Sequence, residues 1–283
     1  MIGLGATTWA ITGAGTRGWA DDGVLTTGLV AVLAAVGFVA RLRSARDPLV
    51  PPELFRSREF TVTNSATVLL YAALGVSFFL VAYQLQVSAG WSALRSGTAL
   101  LPATLLMLVG SSRSGALAER IGPRLQLTVG PLVVAAGLVL LAGVGPDARW
   151  LIDVAPGATV FGLGLVAVVA PLTSTVMGSV DPDHVSTASG VNNAVARTAG
   201  LSALSAVPVV SGLVAAEGAV DVTAAYHTSV LIAAGVAAGA APLALLGLPS
   251  RATTRPSARR SHCAVDGPPL QPDPARCPTS GRR

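Results

Sequence analysis

The chain alternates long apolar runs with short polar or basic segments. Eight runs stand out, at residues 2–15, 24–40, 61–86, 95–112, 125–143, 151–178, 185–211 and 225–248. A helix needs about 20 apolar residues to cross a bilayer, with a lower limit of about 17, so every run except the first is long enough. The first run predicts the closing part of a span whose beginning is missing. The pattern therefore predicts an all-α, polytopic membrane protein with about eight transmembrane helices.

Composition excludes a soluble globular domain. Of the 283 residues, 52% are hydrophobic and only 12% are charged, and the mean hydropathy is +0.64. A chain this apolar cannot be solvated as a water-soluble domain. The net charge of +5 could indicate nucleic-acid binding, but the basic residues lie in loops and in the C-terminal tail, with few aromatic residues between them. Membrane topology explains that distribution better.

The positions of the arginines predict the topology. All 19 basic residues are arginine, which together with the excess of alanine, glycine and valine indicates a GC-rich bacterial genome. If the segment after the second run is cytoplasmic, fifteen arginines lie on that side and two, Arg17 and Arg149, lie on the other. Cytoplasmic loops of membrane proteins carry the excess of basic residues. We therefore expect a multi-pass protein of the bacterial inner membrane with both termini in the cytoplasm.

Glycine and proline inside the runs favour packed helices over a single anchor. Proline is tolerated in a membrane helix where neighbouring helices satisfy the freed backbone groups, and glycine lets two helix backbones approach closely. We expect these roles for Pro102, Pro131, Pro156, Pro171, Pro208 and Pro242, and for Gly157, Gly162 and Gly164.

A polar and aromatic stripe follows the run at residues 61–86. Its members are Asn64, Thr67, Tyr71, Gly75, Phe78 and Gln86, which fall within about 100° of one another at helical spacing. One interpretation is a wall of a cavity for an apolar or cationic organic substrate, with the aromatic rings offering π faces and the amides offering hydrogen bonds. The other is hydrogen bonding between helices of a bundle. The sequence leaves both open.

A second stripe lies in the run at residues 185–211 and includes Asn193 and Arg197. Counted from a helix start near Asp181 at 1.5 Å per residue, Arg197 lies close to the middle of the bilayer. An arginine at that depth must face protein or water. It could be a substrate or coupling group, but a structural arginine that bonds helix carbonyls at an interface between two halves is favoured.

Ionisable groups that could do chemistry within the membrane are missing. All 14 acidic residues lie in loops, in the tail or at span edges, and Asp153 is the closest to lipid depth. A proton-coupled carrier needs an embedded carboxylate or histidine. The proline-rich tail contains one histidine and both cysteines of the chain, His262, Cys263 and Cys277. One imidazole and two thiols in such a segment make a poor metal site. We expect no enzyme, no metal and no cofactor, since three scattered histidines supply no catalytic cluster.

The segment at residues 47–60, DPLVPPELFRSREF, is a basic linker broken by prolines. We expect Leu54 and Phe55 to lie in the membrane interface, while Arg56 and Arg58 face lipid headgroups.

A basic bridge joins the fourth and fifth runs and reads SSRSGALAERIGPRLQLTVG at residues 111–130. Gly115 brings the preceding helix close to a neighbour, Gly122 permits a sharp reversal, and Arg120 and Arg124 hold the hairpin at the cytoplasmic surface. Glu119 can pair with either arginine or with a helix N-terminus. A generic cytoplasmic turn is the alternative explanation.

These residues resemble the signature loop of the major facilitator superfamily, G-x-L-a-D-R-x-G-R-K. The sequence departs from it twice, since Glu119 replaces the usual aspartate and Pro123 stands where a basic residue is usual. Three further segments are similar to the fourteen-span drug:proton antiporter branch of that superfamily. They are the linker at residues 47–60, the segment YQLQVSAGWSALRSGTALLPATL, and the segment ASGVNNAVARTAG, which contains Asn192.

The resemblance implies a second six-helix bundle preceded by extra helices. It divides the chain into partial and complete extra transmembrane helices at 1–43, a cytoplasmic linker at 44–60, a C-terminal transporter bundle at 61–249 and a disordered cytoplasmic tail at 250–283. It also implies that the first bundle, with the coupling acid, is missing from this chain.

The leading hypothesis is the C-terminal half of a proton-coupled multidrug efflux transporter that does not transport alone. Its partners would be the lipid bilayer, a small apolar or cationic organic substrate and a separate N-terminal half, and nucleic acid is not expected. The alternative is a non-transporting membrane scaffold or a degenerate transporter remnant. A small-solute channel is disfavoured, because it needs a polar ring from several spans and only two spans carry stripes.

Overall fold

The structure is a computed structural model that describes residues 2–18, 20–44, 50–216 and 218–249. Within these ranges the chain folds into long helices joined by short connections. The tail at 250–283, predicted to be disordered, lies outside the described residues, as do its histidine and two cysteines.

The helices follow the predicted apolar runs. In chain order they are α1 (Ile2–Arg17), α2 (Asp22–Ser44), α3 (Arg58–Val87), the short α4 (Ala93–Gly97), α5 (Leu101–Ile121), α6 (Pro123–Ala142), α7 (Ala155–Gly178), α8 (Val185–Val210) and α9 (Gly218–Gly247). Short helical turns lie at Pro52–Arg56, Trp150–Val154, Pro182–His184 and Leu213–Ala215.

The last helix begins at Gly218, earlier than the predicted start at Ala225. Asp221 lies in the first turn of α9, where a carboxylate is favourable because it meets the positive end of the helix dipole.

Within the described ranges, five helical stretches are long and apolar enough to cross a membrane. They are Arg58–Val87, Ala93–Ala118, Pro123–Ala142, Trp150–Gly178 and Val220–Gly247. A shorter apolar helix covers Asp22–Phe38. Helix α8 has sufficient length, but its asparagine, arginine, serine and threonine residues lower its hydropathy. The chain is therefore an all-α, polytopic membrane protein.

Glycines let the helices of the bundle cross at close range, as predicted. A Cβ atom on Gly164 of α7 would lie 2.5 Å from the backbone nitrogen of Val134 in α6, and one on Gly162 would lie 2.5 Å from Cα of Ala103 in α5. Gly157 also faces α6 at less than van der Waals distance. Real Cβ atoms do not tolerate such contacts with backbone, so these positions require glycine.

The prolines within the bundle are accommodated in continuous helices. Pro131, Pro171, Pro208 and Pro242 each lie inside a helix, from α6 to α9 in that order. Neighbouring helices are packed closely enough to make these interruptions tolerable, as expected for membrane helices.

The linker packs on the end of the bundle, so the expectation that Leu54 lies in the membrane interface is wrong. Leu54 is only 5% exposed and joins a small apolar core with Phe60 and Val176. Ser57 fixes this arrangement, because its hydroxyl accepts from the Phe60 amide at 3.3 Å and donates to the Ser179 carbonyl at 3.1 Å. The linker therefore connects the start of α3 with the end of α7.

Helices α1 and α2 form a pair, and α1 lies against α8. A Cβ atom on Gly15 would lie 2.5 Å from a methyl carbon of Val209, which shows that α1 and α8 approach closely. The end of α1 is closed by Arg17, whose guanidinium lies 4.3 Å from the ring of Trp9 and 4.0 Å from the carboxylate of Asp21.

Candidate functional site

The first two residues of the α3 stripe point into the bundle and bind α8. The Nδ2 of Asn192 donates to Oδ1 of Asn64 at 3.2 Å and to Oγ1 of Thr67 at 2.8 Å. Asn64 and Thr67 also donate to carbonyls one turn earlier in α3. All three side chains are buried. At this end of the stripe, the structure shows hydrogen bonding between helices.

The middle of the stripe lies at a backbone crossing. A Cβ atom on Gly75 would lie 2.8 Å from both Cα and the carbonyl oxygen of Gly200 in α8. The carbonyl oxygen of Tyr71 also lies beside Gly200, and the tyrosine side chain is partly buried. The two glycines thus allow α3 and α8 to touch without intervening side chains.

The last two residues of the stripe are exposed. Phe78 is 45% exposed and makes an edge-to-face contact with Phe161 of α7, with ring centroids 5.7 Å apart. Gln86 is exposed near the end of α3 and donates to the carbonyl of Ala82 in its own helix at 3.2 Å. The stripe therefore divides into a buried polar part and an exposed aromatic part.

Helix α8 buries Asn192 rather than Asn193. Asn193 and Arg197 are both exposed on the flank of the helix. Arg197 forms no ion pair within the part of the chain that the structure describes. Asn192 and Asn193 point in directions about 100° apart, so only Asn192 faces α3.

The signature loop consists of a single residue between two helices. Gly122 ends α5 and precedes α6 with φ +86°, a conformation that favours glycine, and so makes the predicted reversal. Gly115 faces Ala170 of α7 at an ordinary van der Waals distance of 3.8 Å for an added Cβ. Arg120 is exposed and Arg124 partly buried, while the side chain of Glu119 lies outside the described structure.

A hydrogen bond across this reversal was not predicted. The buried amide of Gln126 in α6 donates to the backbone carbonyl and to the hydroxyl of Ser114 in α5, both at 3.2 Å. It holds the C-terminal part of α5 against the first turns of α6. Ser114 lies eight residues before Gly122 and Gln126 lies four residues after it, so the tight turn at Gly122 brings the two side chains together.

A buried polar network at the opposite end of the bundle was also missed. Gln84 of α3 is fully buried, and its Nε2 donates to the Val144 carbonyl at 3.1 Å and to the Thr223 hydroxyl at 3.0 Å. Its Oε1 accepts from Ser88 at 3.2 Å. The network ties α3 to α9 and to the connection after α6.

Replacing Gln84 with leucine is expected to destabilise this end of the bundle. The change leaves the Val144 carbonyl without its donor, which costs about 1 kcal/mol in membrane proteins. Gln86→Leu is the matched control, because Gln86 is exposed and bonds only within its own helix. The check is the melting temperature of the detergent-solubilised protein. Equal shifts for the two variants would show that the network does not stabilise the fold.

A cavity of about 690 Å³ lies beside α8, between α1, α2, the linker and α3. The first elements line it through Ile11, Phe38, Val50, Phe55, Val68 and Ala72. Helix α8 contributes one face from Val191 to Ala206, on which Thr198 and Ser202 supply the only hydroxyl groups. The stripe residues of α3 do not line this cavity.

No group of histidine, cysteine, aspartate and glutamate residues suited to hold a metal ion occurs among the residues described here.

A family model of the Major Facilitator Superfamily matches residues 1–204 of the 283. The chain belongs to the Major Facilitator Superfamily. Membership in this superfamily of membrane proteins agrees with the multi-pass helical bundle.

Individual superfamily members agree with this assignment. The chain is 31% identical over 198 residues to the tetracenomycin C resistance and export protein of Streptomyces glaucescens, which covers 68% of the chain and 36% of the relative. It is 28% identical over 211 residues to the methylenomycin A resistance protein of Streptomyces coelicolor, which covers 74% of the chain and 44% of the relative. It is 32% identical over 133 residues to the MFS-type transporter YhcA of Bacillus subtilis, and the match covers 47% of the chain and 25% of that protein. The chain thus spans less than half the length of these relatives.

Proposed function

We propose that the chain forms the C-terminal bundle of a drug-efflux carrier. The observation that carries the proposal is membership in the Major Facilitator Superfamily together with relatives that are named for antibiotic resistance and export. In this proposal residues 61–249 are the six-helix bundle, residues 1–43 the preceding extra helices and residues 44–60 a cytoplasmic linker. Both termini lie in the cytoplasm, and the membrane is the bacterial inner membrane.

The carrier works by alternating access, in which two bundles rock about a central site. We propose that a separate N-terminal half supplies the other bundle and the proton-coupling group. The positions of the acidic residues in this chain support that division. In the described helices they lie at helix ends, as Glu59 in α3, Asp153 before α7 and Asp221 in α9 do. A carboxylate at a helix end lies away from the middle of the span, so it is poorly placed to carry a proton across the membrane.

A complementation experiment tests this function. The chain is expressed in a drug-sensitive bacterial host, alone and together with the first six helices of the tetracenomycin C resistance and export protein, and the accumulation of ethidium is measured. We expect lower accumulation only when both parts are present. If the two parts reach the membrane and co-purify but accumulation is unchanged, the proposed role as an efflux bundle is wrong.

We propose that two aromatic residues of the α3 stripe contact the substrate through their rings, the exposed Phe78 and the partly buried Tyr71. Asn64 and Thr67 support it from within by fixing α3 against α8. Gln86, Asn193 and Arg197 would then lie on the surface that meets the other half, where their exposed polar groups find partners.

Replacing Phe78 with alanine is expected to weaken the binding of an organic cation about fivefold, because a single cation–π contact contributes roughly 1 kcal/mol. The measurement is the fluorescence anisotropy of ethidium titrated with the purified chain in lipid nanodiscs. Phe79→Ala is the matched control, since Phe79 is also 45% exposed but stacks on Tyr83 instead of Phe161. Equal losses in the two variants would contradict a substrate contact at Phe78.

A further inference from the structure

The cavity beside α8 is a long apolar slot. It follows α8 from Val191 to Ala206, a length of about 22 Å at 1.5 Å per residue. One leaflet contributes about 15 Å of the hydrocarbon thickness, so the slot is long enough for an extended acyl chain. Among the residues that the structure describes, its lining includes no charged side chain.

The lining selects a hydrocarbon occupant. An organic cation would find no carboxylate among the described lining residues. A peptide segment would bring backbone amides and carbonyls that the hydroxyls of Thr198 and Ser202 cannot all satisfy. A hydrocarbon chain needs neither a charge nor a hydrogen bond and gains from the contact with apolar surface.

One end of the slot lies beside exposed arginines. Phe55 of the linker lines the slot, and Arg56, the next residue in the same helical turn, is exposed. Phe38 of α2 lines it too, and Arg41 follows three positions later on the same face of that helix. Between residues 41 and 60 the sequence holds five arginines and three acidic residues, a net charge of +2. Basic segments next to membrane spans attract anionic lipid headgroups.

We propose that the slot binds an acyl chain of an anionic phospholipid, whose phosphate meets Arg41 and Arg56. The chain of the lipid fills the space between the α1–α2 pair and the bundle, and its headgroup holds the end of α2 beside the linker. The lipid is then a structural ligand that fastens the α1–α2 pair to α3 and α8. The proposal does not depend on efflux activity.

Lipid titration of the purified chain in detergent tests the site. Apparent affinities are measured from thermal stabilisation by phosphatidylglycerol and by phosphatidylcholine with identical acyl chains. Each arginine near an anionic surface contributes roughly fivefold, so we expect phosphatidylglycerol to bind roughly thirtyfold more tightly. Equal stabilisation by the two lipids would overturn the proposal.

Two variants separate the headgroup from the chain. The double variant Arg41→Gln/Arg56→Gln is expected to remove the preference for phosphatidylglycerol. Ala194→Phe fills the slot from an exposed position of α8, so we expect it to weaken the binding of both lipids at least tenfold. Their controls are Arg95→Gln/Arg149→Gln, far from the linker in sequence, and Ala116→Phe on an exposed face of α5. A preference that survives in the first variant, or unchanged binding in the second, would show that the site is not the one proposed.

Discussion

Replacing Gly164 with alanine is expected to lower the melting temperature of the bundle by several degrees. The added Cβ would lie 2.5 Å from the Val134 nitrogen and 2.9 Å from its Cα, so α6 and α7 must move apart. Overpacking of this kind costs roughly 1–3 kcal/mol, which exceeds the gain of about 0.5–1 kcal/mol from replacing glycine within a helix. The measurement is thermal unfolding followed by size-exclusion chromatography of a fluorescent fusion in detergent.

The control for this variant is Gly235→Ala in α9, where an added Cβ would meet no atom within 4 Å. We expect this variant to be as stable as the unmodified chain or slightly more stable. If Gly164→Ala melts at the same temperature as Gly235→Ala, the close crossing of α6 and α7 does not hold the bundle together.

Replacing Asn192 with leucine is expected to loosen the contact between α3 and α8. The leucine cannot donate to Asn64 Oδ1 or Thr67 Oγ1, and both of these side chains are buried. Loss of hydrogen bonds between membrane helices costs about 0.6–1.7 kcal/mol, and unpaired buried acceptors increase the cost to roughly 1–3 kcal/mol. Disulfide cross-linking of cysteine pairs placed on α3 and α8 reports the loosened contact directly, and thermal unfolding reports the lost stability.

Asn193→Leu makes the same chemical change one residue further on, at an exposed position. We expect it to leave both cross-linking and stability near those of the unmodified chain. A larger effect at residue 193 than at residue 192 would mean that α8 is rotated by about 100° from the orientation described here.

Sequence patterns were sufficient for the elements of this fold because apolar runs of bilayer length leave few alternatives to helices. The runs at 61–86 and 151–178 correspond to α3 and to Trp150–Gly178 almost residue for residue. Gly122 was also correctly placed, since a glycine before a proline between two apolar runs predicts a turn.

Helix rotation could not be predicted to the same accuracy. In a bundle surrounded by lipid, both faces of a helix are apolar, so the hydrophobic pattern does not tell which residue points inward. The position of Asn192 is set by the crossing at Gly75 and Gly200, which involves residues far apart in the sequence. Gln84 is buried and Gln86 is exposed. The sequence does not distinguish them, because the hydrogen bond of Gln84 to Thr223 joins α3 to α9, far away in the sequence. The cavity beside α8 depends on how α1 and α2 pack, and no sequence motif predicts that packing.

The most direct measurement is transport by the purified 283-residue chain in proteoliposomes. Ethidium uptake is followed with an imposed pH gradient, with and without an uncoupler, and compared with empty liposomes. We predict no gradient-driven uptake, because in the proposed division of the carrier this chain supplies one bundle and the other half supplies the coupling group. Uptake that requires the pH gradient and disappears with the uncoupler would contradict the proposal that a second bundle is needed.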